Sequence, residues 1–294
     1  MNYQQFVSTL REKTASIIGE GADVQLHTAL KNNGNERVGL TFSEKSVNLS
    51  PTIYLEEFYK HYQEGETIED IVDCILEVYH EVKFEHSWDV HSISDFQAIK
   101  EKIVYKVIHK NQNETLLKEL PFVPYLDFAI VFYILFEVDE NGTATIPVTN
   151  DLVRLWETSL TEIHQIAKQN TPQLLPAVFK PMRIVVEELL GNPCDNIVRA
   201  DDIMFVLTNS LRNLGAACIL YDDILFHICN FLKDSFYILP SSIHEVIIIP
   251  ESHAPDKDTL NEMVLEVNET QVGLEDVLSN HVYYYDCEQH TLLQ

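Results

Sequence analysis

The chain has 294 residues, 46% of them hydrophobic, and a formal net charge of −26 at pH 7. That length suits one large or two modest domains, and that hydrophobic content excludes global disorder. The charge disfavours nucleic-acid binding, because acidic surfaces repel the phosphate backbone.

The charge is unevenly spread. Residues 1–53 carry 5 acidic and 5 basic side chains, net 0, whereas residues 54–101 carry 13 and 3, net −10. Residues 102–194 carry 11 and 8, net −3, and residues 195–294 carry 17 and 4, net −13. A solubilising surface accounts for such acid; a face for a basic partner, or mimicry of DNA, are the sharper accounts. No apolar run approaches the ~18–20 residues of a membrane span. The N-terminus, MNYQQFVSTLREK, lacks the basic and apolar regions of a signal peptide. Cys74, Cys194, Cys218, Cys229 and Cys287 are widely spaced and form no CxxC. Free thiols in a reducing cytoplasm are expected.

In chain order, residues 2–18 predict an amphipathic helix, with Phe6, Leu10 and Ile17 on one face. Two alternating segments, 24–30 and 38–42, flank NNGN (Asn32–Asn35) and predict a hairpin, since Asn-Gly tolerates positive φ. Ser50-Pro51 predicts a helix start, and Thr67 with Asp70 an approximate capping box for the next helix. A further helix is expected from Ser94 to about His109. The run FAIVFYILF (Phe128–Phe136) suits a strand buried on both faces, within a hairpin of Leu126–Val138 and Thr143–Val148. Helices then start at Thr149–Asp151 and continue through Leu160, Ile163 and Ile166. Hairpin, helix, helix thus appears twice, as a weak pseudo-repeat.

Met182–Leu190 predicts a short helix closed by Gly191. The last third reads as strands Met204–Thr208 and Gly215–Tyr221, helix Asp223–Leu232, strands Phe236–Leu239 and His244–Ile249, helix Asp258–Thr270, and a closing strand His281–Asp286. The two strands around Pro240–Ser242 organise this region. Fold class is therefore α+β, antiparallel hairpins covered by amphipathic helices, arranged as two lobes. The boundary is placed where Pro121 and Pro124 follow a predicted helix, giving 1–120 and 121–294.

The strings LTNSLRNLGAACILY (207–221), SFYILPSSIHEVIIIP (235–250), LNEMVLEVNETQV (260–272) and LSNHVYYYD (278–286) resemble a domain-of-unknown-function family of Gram-positive gut anaerobes. The hairpin and YLEEFYKHYQEGETIEDIV (54–72) fit it as well. The resemblance implies a bacterial cytoplasmic protein. It carries over no activity, cofactor or catalytic residue.

Three groups of residues could bear chemistry. Ser242 and His244, with Ser241 and Glu245, outline a nucleophilic hydrolase. In an extended segment Ser242 and His244 share a face, but Glu245 points away and cannot orient the imidazole. There is no GxSxG elbow, so a Pro-Ser-Ser turn with hydroxyls bonded to backbone is the plainer account. His80, His86 and His91, with Glu81, Glu85 and Asp89, are acceptable metal ligands, but H-x5-H-x4-H is no recognised metal motif. A polar surface connection is expected there instead. Asp222-Asp223, with Asn209, Asn213 and Asp201-Asp202, could hold magnesium; more simply, Asp222 caps the following helix. No GxGxxG or GxxxxGK[ST] is present, so no nucleotide cofactor is expected.

These readings favour a non-catalytic binding or regulatory protein with a basic protein partner, no cofactor and no metal. The alternatives are a hydrolase or metal-dependent enzyme using the Ser242/His244 region, and an acidic DNA mimic that inhibits a nucleic-acid-binding protein.

Overall fold

The computed structural model describes residues 1–44, 50–82, 93–139, 142–192, 195 and 197–294. It divides into two compact units, Met1–Ala98 and Ile99–Val138 with Gly142–Gln294.

The first unit opens with α1 (Tyr3–Ile18), started by a capping box in which Asn2 and Gln5 satisfy each other's backbone N–H groups. β1 (Asp23–Leu30) and β2 (Glu36–Ser43) form the expected antiparallel hairpin, from Asp23↔Ser43 to Leu30↔Glu36. Its turn follows Asn-Gly chemistry: Asn33 and Gly34 take φ of +57° and +70°. Ser50-Pro51 does not open a helix. The Phe42 N–H donates to the Pro51 carbonyl at 3.1 Å, and β3 (Thr52–Tyr54) pairs with β2, so sheet pairing wins over the local cap signal. The helix starts later, as α2 (Glu56–Glu64), and stops at Gly65 with φ +112°. α3 (Ile68–Val82) is capped as expected, Thr67 Oγ1 accepting from the Asp70 N–H at 3.2 Å. Phe6, Leu10, Leu40, Phe42, Leu55, Ile71 and Ile75 make a fully buried core.

After the short helix α4 (Phe96–Ile99) the chain turns extended, correcting the helix expected up to His109. β4 (Ile103–His109) carries the β-branched and aromatic string IVYKVIH, buried on both faces, and such residues favour a central strand. β5 (Phe122–Tyr125) and β4 flank β6 (Phe128–Asp139), and β7 (Gly142–Pro147) also pairs with β6. Because β4 pairs with β6 along its length, the division between units falls at 98/99, ahead of the 120/121 boundary read from the prolines. β6 is buried from Phe128 to Leu135, as its apolar run requires. α5 (Asn150–Leu155) and α6 (Leu160–Leu174) follow, capped by Thr149 and Ser159. α6 is fastened to the start of β4: Asn170 Nδ2 donates to the Lys100 and Ile103 carbonyls at 2.8 and 2.9 Å, and the Tyr105 N–H donates to Thr171 Oγ1 at 3.1 Å.

The remaining sheet has six antiparallel strands. They are β8 (Ala177–Pro181), β9 (Phe205–Asn209), β10 (Phe236–Leu239), β11 (Val246–Pro250), β12 (Tyr283–Asp286) and β13 (Thr291–Leu293). Their spatial order is β13-β12-β10-β11-β9-β8. Helices α7 (Met182–Leu189), α8 (Ile224–Leu232) and α9 (Lys257–Thr270) belong to the same unit. Two strand readings change. Gly215–Leu220 is a buried 3-10 turn, because Gly215 is pressed against backbone rather than paired in a ladder. The closing strand at 281–286 is interior, since β13 adds outside it.

The expectation of free thiols also changes. Cys229 on α8 and Cys287 after β12 are joined by a disulfide, with Cα atoms 5.9 Å apart. Cys74 is a free, exposed thiol and Cys218 a free, buried one, whereas Cys194 lies outside the described residues. Burial pushes the Cys218 thiol up to about 12, so it behaves as a packing group rather than a nucleophile. The fold is α+β with antiparallel sheets. Among the described residues no helix is long and apolar enough to cross a membrane.

Candidate functional site

The β10–β11 connection holds the serine and histidine singled out above. The His244 backbone N–H donates to Ser242 Oγ at 3.0 Å, so that hydroxyl serves the turn. The His244 ring is committed elsewhere. Its Nδ1 accepts from the Leu214 N–H at 3.1 Å, which places the ring proton on Nε2, and Nε2 donates to Asp276 Oδ1 at 3.1 Å. No imidazole lone pair is left to take a proton from Ser242, and Glu245 enters the turn through its backbone carbonyl, which accepts from the Ser242 N–H at 3.2 Å. The joint ties three segments together: the Ala216 N–H reaches the Ile243 carbonyl at 3.2 Å, the Ile243 N–H the Asp276 carbonyl at 2.8 Å, and Thr208 Oγ1 the His244 carbonyl at 2.8 Å.

The remaining sequence candidates disperse. His80 is exposed in the last turn of α3, and His86 and His91 lie outside the described residues. Asp222 does not cap α8; it pairs with Lys168 at 2.7 Å, while Asp223 sits at the cap position without a side-chain cap bond. Asn209 closes its own loop, Nδ2 donating to the Asn213 carbonyl at 2.7 Å. Asp202 accepts from Arg183 Nε at 3.2 Å and from the Arg199 N–H at 2.7 Å. Among the described residues no group of three His, Cys, Asp or Glu could hold a metal ion.

Two arrangements in the second unit were not read from the sequence. The first centres on Asp127, at the β5–β6 turn. Tyr283 donates to Asp127 Oδ1 at 2.5 Å and lies 2.9 Å from Ser279 Oγ, which reaches Asp127 Oδ2 at 3.3 Å. His281 Nε2 and His109 Nε2 approach the same oxygen at 3.2 and 3.6 Å. His109 Nδ1 accepts from the Gln112 N–H at 3.2 Å, so its Nε2 bears the proton and offers no lone pair to a metal. Burial, and then the neighbouring His281, hold the His109 pKa below its ordinary value despite Asp127. Ser279 is fully buried, and through it and Tyr283 the cluster fastens the segment 279–283 to the β5–β6 turn.

The second arrangement is a cleft of about 530 Å³. Tyr125 from β5, Tyr221, Phe226 on α8, Tyr285 on β12 and His290 give it aromatic walls, and Asp222 and Asp223 contribute carboxylates. Phe226 and His290 meet edge to face at 5.1 Å. Tyr221 spends its hydroxyl on the Leu175 carbonyl at 2.8 Å, leaving its ring to the cleft. Burial, and then the charge of Asp223, raise the Tyr285 phenol above its ordinary value. Leu126, Asp223 and His290, at or next to this cleft, hold positive φ of 51°, 60° and 52°. Such backbone is costly for residues with a Cβ and persists where the surrounding structure enforces it.

The family described as "Family of unknown function (DUF5688)" matches residues 3–287, nearly the whole chain. The chain belongs to the DUF5688 family. Comparison with curated proteins gives no match, and comparison with solved structures gives none. The cleft escapes sequence reading because its walls come from four separate segments between Tyr125 and Leu292. The string HVYYYD was a partial signal: three consecutive tyrosines in a strand send Tyr283 and Tyr285 to one face and Tyr284 to the other. Which partner each would meet was not legible.

Proposed function

We propose that this DUF5688 member is a non-catalytic binding or regulatory protein that captures a basic protein partner. The cleft supports the reading: it adds aromatic faces and carboxylates to the region where 17 acidic side chains face 4 basic ones. A lone acidic surface would only solubilise; a concave acidic surface with aromatic walls also offers a place for a guest. Serine catalysis would need an imidazole lone pair directed at Ser242, and both His244 nitrogens are spent on Leu214 and Asp276.

Charge-driven capture is screened by salt, with a Debye length of ~10 Å at 0.1 M and ~3 Å at 1 M. Immobilised protein is expected to retain a specific basic protein from a cell extract in low salt and to release it as salt rises. Retention is scored against an unrelated protein of equal net charge. If the two columns hold the same proteins, or nothing is retained, the reading fails. A retained DNA-binding protein that duplex DNA displaces would replace it with the DNA-mimic account.

A further inference from the structure

The chemistry of the cleft narrows what kind of group it accepts. Aromatic ring faces carry the negative end of a quadrupole and attract cations, most strongly where water is displaced. Tyr125, Tyr221, Phe226 and Tyr285 bring such rings to one cavity of 530 Å³, within the range that encloses a side chain or small ligand. The adjacent carboxylates set the sign of the guest. Asp222 shares its charge with Lys168 at 2.7 Å, so it is partly neutralised. Asp223 has no side-chain partner among the described residues, and no Lys or Arg lines the cleft. An anionic guest would meet this carboxylate and the ring faces together, and a neutral one would leave the Asp223 charge uncompensated. A linear cationic side chain satisfies both features, its stem along the rings and its head at the carboxylate.

Resting on the basic-partner reading above, we infer that the cleft between Tyr125, Phe226 and Tyr285 takes a protruding lysine or arginine side chain of that partner, with its charged head at Asp223. This goes further than surface charge: it makes one concave site, rather than the acidic surface as a whole, the place where the partner is read.

The test uses the full-length protein and a lysine decapeptide as probe, with affinities measured by calorimetry at low salt. Three variants are compared. Asp223→Asn removes the unpaired carboxylate and keeps a residue suited to positive φ. Phe226→Ala removes an exposed ring. Glu262→Gln removes an equal charge from an exposed position of helix α9 that does not line the cleft. All three positions are solvent-exposed, so the variants are expected to melt close to the parent chain. The expected result is that Asp223→Asn and Phe226→Ala each weaken binding about tenfold, and Glu262→Gln less than about twofold. Equal weakening by all three would overturn the cleft assignment while leaving capture by the acidic surface intact. No binding of the decapeptide to the parent chain at low salt would overturn the assignment and the basic-partner reading together.

Discussion

Gly215→Ala should lower the melting temperature of the second unit by about 6–12 °C. A Cβ at this position would lie 2.3 Å from Thr208 Oγ1, 2.6 Å from the Asn209 nitrogen and 2.7 Å from the His244 carbonyl oxygen. Two of these atoms are backbone. The Asn209 nitrogen belongs to β9, and the His244 oxygen already accepts from Thr208 Oγ1. Relief would require moving the end of β9 away from the β10–β11 joint, which the bonds from Thr208 Oγ1 and the Leu214 N–H to His244 resist. Overpacking of this kind costs about 3 kcal/mol, and a domain of ~150–250 residues loses about 2–4 °C per kcal/mol. Gly273→Ala is the control: its Cβ would meet only a side-chain oxygen, Asp276 Oδ2 at 3.3 Å, and its φ is not positive. It should change stability by less than about 0.5 kcal/mol. A Gly215→Ala chain that melts with the parent would show that the 209–216 loop does not pack against the joint as described.

Replacing Asp127 by Ala should cost about 3 kcal/mol. The Tyr283 side chain is 1% exposed, and its hydroxyl would keep only Ser279 as a partner. Hydrogen bonds to a charged group contribute about 1.5–3 kcal/mol, and Asp127 accepts from more than one donor. Tyr283→Phe, which removes one donor and keeps the carboxylate, should cost less. The same cluster gives a pH dependence whose sign is fixed. The His109 pKa is lowered in the folded state, so below the ordinary histidine value of ~6.5 the unfolded chain binds more protons. Stability therefore falls as pH drops through about 6.5. His164, whose pKa is lowered by burial and then by Lys168, adds in the same direction. Urea midpoints at pH 7.5 and 5.5 check this: His109→Gln should reduce the difference between them, with His164 supplying a remainder. An unchanged difference would mean that His109 is not held neutral by the fold.

Local chemistry made part of the fold legible. NNGN, FAIVFYILF and the Thr67 cap act within a few residues of themselves, and each forms what its sequence predicts. The failures share a cause. IVYKVIH reads as either period until β6 is there to pair with it. Ser50-Pro51 carries a cap signal, but β2 offers Pro51 a backbone partner first. The β10–β11 turn was visible, but the acid that reaches His244 lies 32 residues on, at Asp276. The cleft is still less local. Tyr125 and His290 come from opposite ends of the second unit, and no spacing rule connects them.

The Cys229–Cys287 bond closes a covalent ring across 58 residues, and the ring holds β10, β11, α9 and β12. Closing a loop of that length restricts the unfolded chain by roughly 4 kcal/mol in the chain-entropy account. It also changes what a cut peptide bond means. The stretch Gln271–Leu274 is largely exposed, so a protease can reach it. A single cut there would make two polypeptides, yet the piece that carries β12 and β13 would stay paired to β10 through β12 and tethered through sulfur. Such a nicked molecule should run as one band on a denaturing gel without reductant and as two bands with it. Two bands without reductant would show the tether to be absent. In a setting that keeps thiols reduced, the same cut would free the strand that carries Tyr285, and with it one wall of the cleft.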